Sequence, residues 1–74
     1  MQERFSKYYR TISDNIKKIR IKTGLSQEKF AEQVGCSREY ISRLENYHEV
    51  AGLDFILNLA TIYKLDPSFF FKNN

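Results

Sequence analysis

Residues 26–46 read SQEKFAEQVGCSREYISRLEN and predict two short helices broken by a tight turn. Ser26 is a good N-cap for a helix over 27–34, because its hydroxyl can accept a hydrogen bond from the first turn. Gly35 ends that helix, since glycine tolerates the positive φ angle of a C-terminal cap. Ser37 is then a second N-cap. The stretch therefore predicts helix, turn and helix.

The second of these helices, over 38 to about 46, presents a polar face. The apolar residues of the stretch recur at spacings of three and four, which places them on one inner stripe. They are Phe30, Ala31, Val34, Ile41 and Leu44. The second helix is left with Arg38, Glu39, Ser42, Arg43 and Asn46. Such side chains can hydrogen-bond base edges, and the arrangement is the pattern of a DNA-binding helix-turn-helix.

Positive charge is concentrated before this stretch. The chain has 74 residues and a net charge of +3. Residues 1–23 carry seven basic and two acidic side chains. Residues 24–46 carry three basic and four acidic side chains, and residues 47–74 carry two basic and three acidic ones. A basic segment beside a polar helix suits contact with phosphates. The alternative is a solvated cationic helix with no partner.

The rest of the chain is also helical in pattern and predicts one all-α domain over 1–74. The first helix has a stripe of isoleucines that ends at Gly24. Its members are Ile12, Ile16 and Ile19, and Phe5, Tyr8 and Tyr9 continue it backwards. Residues 1–12 are therefore a basic extension, which is helical if the stripe continues. Thr11 and Ser13 instead favour a later start of the first helix, because both residue types are better caps than helix interiors.

Two further helices follow the helix-turn-helix. A fourth helix is predicted by the apolar spacing between Leu53 and Tyr63. Asp66 and Pro67 are an N-cap followed by proline at the first helical position, which predicts the start of a short fifth helix. That helix ends in Phe69, Phe70 and Phe71.

Several classes of protein are disfavoured. The sequence has no run of about 18 apolar residues, so it predicts no membrane span. The N-terminus also lacks the apolar segment of a signal peptide. Cys36 is the single cysteine, which fits a reducing cytoplasm, and we interpret it as a small buried hydrophobe rather than a redox sensor. His48 has no metal-ligand partners at suitable spacing, and it forms no credible catalytic pair with Cys36. We expect no enzyme, no metal, no cofactor and no small-molecule ligand.

The run from residue 16 to residue 71 resembles the Cro/repressor-type helix-turn-helix domain, also called the xenobiotic-response-element (XRE) family. The matching pieces are Ile19-Arg20, Gly24-Leu25-Ser26-Gln27, Phe30-Ala31, Gly35, Ser37-Arg38, Tyr40-Ile41-Ser42, Leu44-Glu45-Asn46 and Leu59-Ala60. The resemblance implies a five-helix, lambda-repressor-like bundle with the helix-turn-helix at its second and third helices.

The resemblance also implies roles for particular residues. Gln27 matches a glutamine that meets a phosphate and braces the recognition helix. Arg20 and Glu45 match a pair that joins the first helix to the end of the third. The DNA-binding residues expected are Gln27, Ser37, Arg38, Glu39, Tyr40, Ser42, Arg43 and Asn46. Two of them have alternative roles. Glu39 either accepts a hydrogen bond from a cytosine amino group or only interacts favourably with the helix dipole, and Tyr40 either packs in the core or contacts DNA.

The connection over 46–52 departs from the family pattern. It has no Lys or Arg, and Glu49 would repel a phosphate. We therefore expect the basic N-terminal segment to make the phosphate contacts that the family's loop usually makes.

Three consecutive phenylalanines predict an association surface. At roughly 100° per residue they spread over about 200° of a helix, so at least one must point outward. The resemblance likewise implies a homodimer through the last helix, with Phe69, Phe70 and Phe71 as interface candidates.

The sequence thus predicts a cytoplasmic, bacterial or phage-encoded regulator of transcription. A homodimer would bind a pseudo-palindromic operator in double-stranded DNA, as phage or plasmid repressors and restriction–modification controllers do. One alternative is an antitoxin or interaction module whose main partner is a protein. Another is a DNA-binding piece of a longer regulator.

Overall fold

The computed structural model describes residues 3–74, which are all-helical in their regular structure. A 3-10 turn at Glu3–Phe5 precedes four α-helices and a second 3-10 turn. The helices are α1 at Ser6–Thr23, α2 at Gln27–Val34, α3 at Arg38–Glu45 and α4 at Leu53–Tyr63, and the C-terminal 3-10 turn is Pro67–Phe71. The predicted all-α class is confirmed over these residues with four α-helices, and the short fifth helix expected after Asp66 and Pro67 is a 3-10 turn rather than an α-helix.

The C-terminal element is a 3-10 turn because the chain leaves helical geometry after only five residues. Asp66 does cap it, since its carboxylate accepts a hydrogen bond from the Ser68 amide at 2.9 Å. Lys72 is already extended, with φ −107° and ψ 155°. Five residues favour the tighter i to i+3 bonding of a 3-10 helix.

Helix α1 begins earlier than the cap signals suggested. Thr11 and Ser13 both lie inside the helix, and the Thr11 hydroxyl donates to the Lys7 carbonyl at 3.0 Å instead of capping. The aromatic continuation of the isoleucine stripe therefore marked the helix correctly. The basic extension over 1–12 is helical from residue 3 onward, and residues 1 and 2 lie outside the described range.

The core lies where the four helices and the C-terminal turn meet. Its fully buried members are Ile16, Phe30, Ile41, Leu44, Leu59 and Phe70. Two polar residues, Ser13 and Asn15, are also buried, and Asn15 clamps the C-terminal turn onto α1. Its amide nitrogen lies 3.2, 3.0 and 2.8 Å from the carbonyl oxygens of Phe69, Phe70 and Lys72. The clamp adds a hydrogen-bond donor to three carbonyls of the turn and ties the turn to α1.

The two serine caps set the helix-turn-helix as the sequence indicated. Ser26 accepts a hydrogen bond from the Lys29 amide, and Ser37 accepts one from the Tyr40 amide, each at 3.1 Å. Between them Gly35 adopts φ 83°. These local interactions fix where α2 ends and α3 begins.

Two helices end on non-glycine residues with a positive φ angle. Tyr47 follows α3 with φ 64°, and Lys64 follows α4 with φ 56°. At both ends the next amide bonds back to the last turn: His48 to the Arg43 carbonyl at 2.8 Å, and Leu65 to the Ala60 carbonyl at 2.9 Å. This is the Schellman motif, in which glycine is the usual residue.

Lys64→Gly is expected to stabilise the fold by about 0.5–1 kcal/mol, because glycine removes the Cβ clash of the left-handed conformation. Urea unfolding of the two proteins measures the difference. Tyr47→Gly is the matched comparison and should not stabilise, because the Tyr47 ring makes contacts that Lys64 lacks. Equal gains at both positions would contradict this account.

Candidate nucleic-acid interface

The outer face of α3 is polar and open to solvent, as its sequence indicated. Ser37, Arg38, Glu39, Arg43 and Asn46 are exposed, and Tyr40 and Ser42 are half-buried. The inner face holds Ile41 and Leu44, both fully buried. Helix α3 is therefore anchored by its apolar side and presents hydrogen-bonding groups on the other.

The C-terminal end of α3 is held by one nearly buried carboxylate. Glu45 receives two hydrogen bonds from the Arg20 guanidinium, from Nε at 2.6 Å and from Nη2 at 2.9 Å. Gln27 donates a third from Nε2 at 3.1 Å. The side chains of Arg20 and Glu45 are only 16% and 4% exposed. Residues from α1, α2 and α3 thus meet at one point, which fixes the pose of α3.

The surroundings of Glu45 decide its charge. Burial raises the pKa of the Glu45 carboxyl. Hydrogen bonds from Arg20 and Gln27 and the positive charges of Arg20 and Lys17 together lower this pKa by more than burial raises it. The net pKa lies below its ordinary value of 4.5. The hydrogen bond to Glu45 also raises the pKa of Arg20, against the opposing effect of burial. Both groups are therefore charged at neutral pH, and each stabilises the ionised form of the other.

The structure favours the packing role for Tyr40. Its ring lies edge-on to Phe55 of α4, with centroids 5.2 Å apart and planes at 83°. Its hydroxyl accepts from the Gly52 amide at 3.4 Å. Tyr40 therefore ties α3 to the start of α4.

Arg10 lies against the loop that has no basic residue of its own. Its guanidinium carbon is 5.1 Å from the centroid of the Tyr47 ring. The Tyr47 hydroxyl donates to Asp14 Oδ1 at 2.5 Å, and this bond raises the pKa of the Tyr47 phenol. Arg10 and Asp14 are four residues apart on one face of α1. The basic extension thus supplies a cation at the C-terminal end of α3.

A second contact that sequence patterns did not indicate joins Arg43 to the same loop. Arg43 Nε donates to Glu49 Oε1 at 3.0 Å. Arg43 lies in α3 and Glu49 lies in the loop after it, so the helical spacing of i and i+4 does not predict this pair. The contact between Arg38 Nη2 and Glu39 Oε2 is looser, at 3.8 Å. The two arginines of α3 therefore differ in how firmly they are held.

The three phenylalanines have different environments. Phe70 is fully buried, so its place among the interface candidates is corrected: it belongs to the core. Phe69 is half-buried and lines a groove with Ile19, Lys22, Thr23, Tyr63 and Leu65, of about 240 Å³. Phe71 is 52% exposed. Of the three, Phe71 is the residue open to a partner.

Other sequence interpretations concern chemistry rather than DNA. Cys36 is half-buried against the core, and burial raises the pKa of its thiol, which disfavours the reactive thiolate. Over residues 3–74 no helix has the length and apolar character needed to cross a membrane.

Comparison with known proteins agrees with this geometry. The model of the helix-turn-helix family matches residues 16–70. The propionyl-CoA carboxylase regulator of Cereibacter sphaeroides is 35% identical over 51 residues, which are 69% of this chain. The match covers 11% of that relative's length. No solved structure matches significantly. On its sequence motif, its helix geometry and this match, the chain belongs to the Cro/repressor-type (XRE) helix-turn-helix family.

Proposed function

We propose that this chain binds double-stranded DNA sequence-specifically as a homodimer and regulates transcription. The observation that supports this most directly is the pose of α3: Glu45 and two apolar anchors hold one face, and the exposed face offers two arginines and a glutamate, with Asn46 at the C-cap. Such a helix fits the major groove, where arginine and asparagine can pair with base edges. The relative is itself a regulator by name, which supports the same role.

The relative is much longer than this chain, which bears on how the domain is used. The match spans 11% of the relative, so the shared part is the helix-turn-helix alone. We propose that the chain supplies DNA recognition.

Selection of bound duplexes from a random DNA pool tests the proposed function. We expect enrichment of one motif with two inverted half-sites, their centres about one helical turn or roughly 34 Å apart. A pool that remains random after several rounds would exclude sequence-specific binding. A single unpaired half-site would exclude the symmetric dimer but retain the recognition helix.

We propose that the dimer forms through Phe71 and the groove that Phe69 lines. The exposed Phe71 of one protomer could enter the largely apolar groove at Phe69 of the other, and the reciprocal contact would give the self-complementary patch that a two-fold symmetric interface requires. Residues 53 and 57 on α4 form a second exposed apolar patch, with Leu53 64% exposed. That patch favours the alternative function, in which the domain chiefly binds another protein. A nanomolar operator complex of the purified chain alone would argue against that alternative.

Phe71→Lys is expected to give a folded monomer whose operator affinity is at least about tenfold weaker, because each protomer then binds one half-site without its partner. Light scattering and gel-shift titration measure the two effects. Leu53→Lys is the matched control and should remain dimeric. Should Leu53→Lys dissociate the protein and Phe71→Lys leave it dimeric, the interface lies on α4; if neither dissociates it, the Phe5–Tyr8–Tyr9 surface is next.

Arg10→Gln is expected to weaken binding to every DNA sequence and to reduce the slope of log affinity against log salt by about one unit, as loss of one phosphate contact does. Neutralising Arg4 and Lys7 as well should extend the effect if they also meet phosphates. Lys72→Gln removes the same charge at the far end of the chain and is the control. If the salt slope is unchanged in Arg10→Gln, Arg10 makes no phosphate contact and its role is to pack against Tyr47.

A further inference from the structure

The guanidinium of Arg43 is held on one edge and covered on one face. Its Nε donates to Glu49 Oε1 at 3.0 Å, and its central carbon lies 5.9 Å from the Tyr40 ring centroid. The Arg43 and Glu49 side chains are 48% and 37% exposed, so the pair lies at the surface and remains accessible to a ligand. Arg38, the other arginine of α3, forms a looser ion pair with its sequence neighbour Glu39, at 3.8 Å.

The position of Glu49 is set by the way α3 ends. Tyr47 reverses the chain with its positive φ angle, and the His48 amide bonds to the carbonyl of Arg43 itself at 2.8 Å. The Tyr47 ring is in turn fixed by the Asp14 carboxylate and the Arg10 guanidinium on α1. Glu49 is therefore presented from an anchored loop rather than from a mobile one.

We propose that Glu49 is a specificity-determining positioning residue, which orients Arg43 toward a base and lowers affinity for DNA that Arg43 does not match. This inference rests on the proposed function. With Nε bound to Glu49, the outer N–H groups of Arg43 remain available, and these can make the bidentate contact to O6 and N7 of guanine. A fixed guanidinium loses less side-chain entropy on binding than one that must first be ordered.

The charge of Glu49 acts on wrong sequences as well. A carboxylate beside the DNA backbone repels phosphates, whatever the base sequence. At a matched site Arg43 lies between Glu49 and the base and gains a strong contact that offsets the repulsion. At an unmatched site the repulsion remains without that contact. Repulsion that acts equally on all DNA lowers both affinities alike, so the ratio of specific to unspecific affinity rises only through the oriented contact of Arg43, which matched DNA receives and unmatched DNA does not.

Binding titrations on three duplexes test the proposal with the full chain: the selected operator, an operator altered at the base pair where Arg43→Ala loses discrimination, and an unrelated duplex. We expect Glu49→Gln to bind the unrelated duplex about threefold more tightly, as removal of one repulsive charge predicts. Its preference for operator over altered operator should fall at least about fivefold, part of the discrimination of a bidentate pair. Glu49→Asp, which keeps the charge, should retain the weak unrelated binding.

Two further proteins make the test specific. Asp54→Asn removes an exposed acid from the first turn of α4 and should leave the preference unchanged. In the Arg43→Ala background, Glu49→Gln should cause no further loss of preference, because the residue that it positions is absent. A second loss there would overturn the proposal.

The other outcomes are equally decisive. If Glu49→Gln binds all three duplexes more tightly by the same factor, Glu49 is only a repulsive charge and the proposal is wrong, while the proposed function stands. If wild-type protein does not distinguish the three duplexes, both fail. Should Glu49→Gln prove unfolded by circular dichroism, Glu49→Asp replaces it: if this shorter side chain leaves the preference for operator over altered operator unchanged, the positioning role is overturned.

Discussion

Glu45→Ala is expected to lower the free energy of unfolding by about 3–5 kcal/mol, since removing one partner leaves the other as an uncompensated, partly buried charge. The charge left behind is Arg20, whose Nη1 also donates to the Leu25 carbonyl at 3.0 Å and is therefore held in place. Gln27 loses its acceptor at the same time. A small domain has only about 5–15 kcal/mol in total, so this variant should be close to unfolding.

Urea unfolding and thermal melting measure this loss, and the chain offers a matched control. Lys29 and Glu32 form an exposed ion pair at 3.7 Å, with both side chains about two-thirds exposed. Glu32→Ala should cost less than about 0.5 kcal/mol, because exposed pairs contribute little. A thermal midpoint for Glu45→Ala within a degree or two of wild type would show that Arg20 and Glu45 are effectively solvated.

The same carboxylate gives the stability a pH dependence of definite sign. The folded-state pKa of Glu45 is lowered, so its contribution is complete above the ordinary value of 4.5 and is lost as the pH falls through the folded-state pKa. Wild-type protein should therefore lose stability on acidification more steeply than Glu45→Gln does. Urea midpoints collected between about pH 6 and pH 3 show the difference between the two curves.

Arg43→Ala is expected to lose about 1–3 kcal/mol of binding free energy on the selected operator and to relax base preference at one position per half-site. Arg38→Ala should have a similar effect at a different position, if the side chain that is loosely held in the unbound protein also meets a base. Repeating the random-pool selection with each variant identifies the position that it reads.

Arg10→Gln is the control for base readout, because a phosphate contact weakens all sequences alike and leaves the selected motif unchanged. If Arg38→Ala and Arg43→Ala both bind the operator as wild type does, α3 is not the recognition helix. The family assignment would remain, but the mode of DNA binding would have to be different.

Local signals predicted the helix-turn-helix well because its boundaries depend on nearby atoms. Ser26, Gly35 and Ser37 act on amides and carbonyls within a few residues, and each boundary falls where the cap predicts. The start of α1 was ambiguous for the same reason, since Thr11 has two local options and takes the intrahelical one. The contact of the final 3-10 turn with Asn15 joins residues more than 50 positions apart, which a local pattern cannot reveal.

The parts of the candidate interface that sequence did not predict are long-range. Arg10 and Tyr47 are 37 positions apart in the numbering, and no periodicity connects them. Glu49 was interpreted as a residue that repels phosphates, but its contact with Arg43 depends on the reversal of the chain at Tyr47. Glycine is the expected residue there, so a tyrosine in that conformation gave no sequence signal.

Helix α1 contacts both ends of the proposed DNA-binding unit. Arg20 holds the end of α3, and Asn15, five residues earlier or about 7.5 Å along the axis, holds the turn that carries Phe71. In a dimer formed through Phe71, α1 of each protomer would therefore fix the distance between the two-fold axis and that protomer's recognition helix. Such a dimer would measure DNA length as well as sequence. One extra base pair between the half-sites turns the second half-site by about 34° and moves it by about 3.4 Å, so an operator with an altered spacer should bind as poorly as one with a damaged half-site.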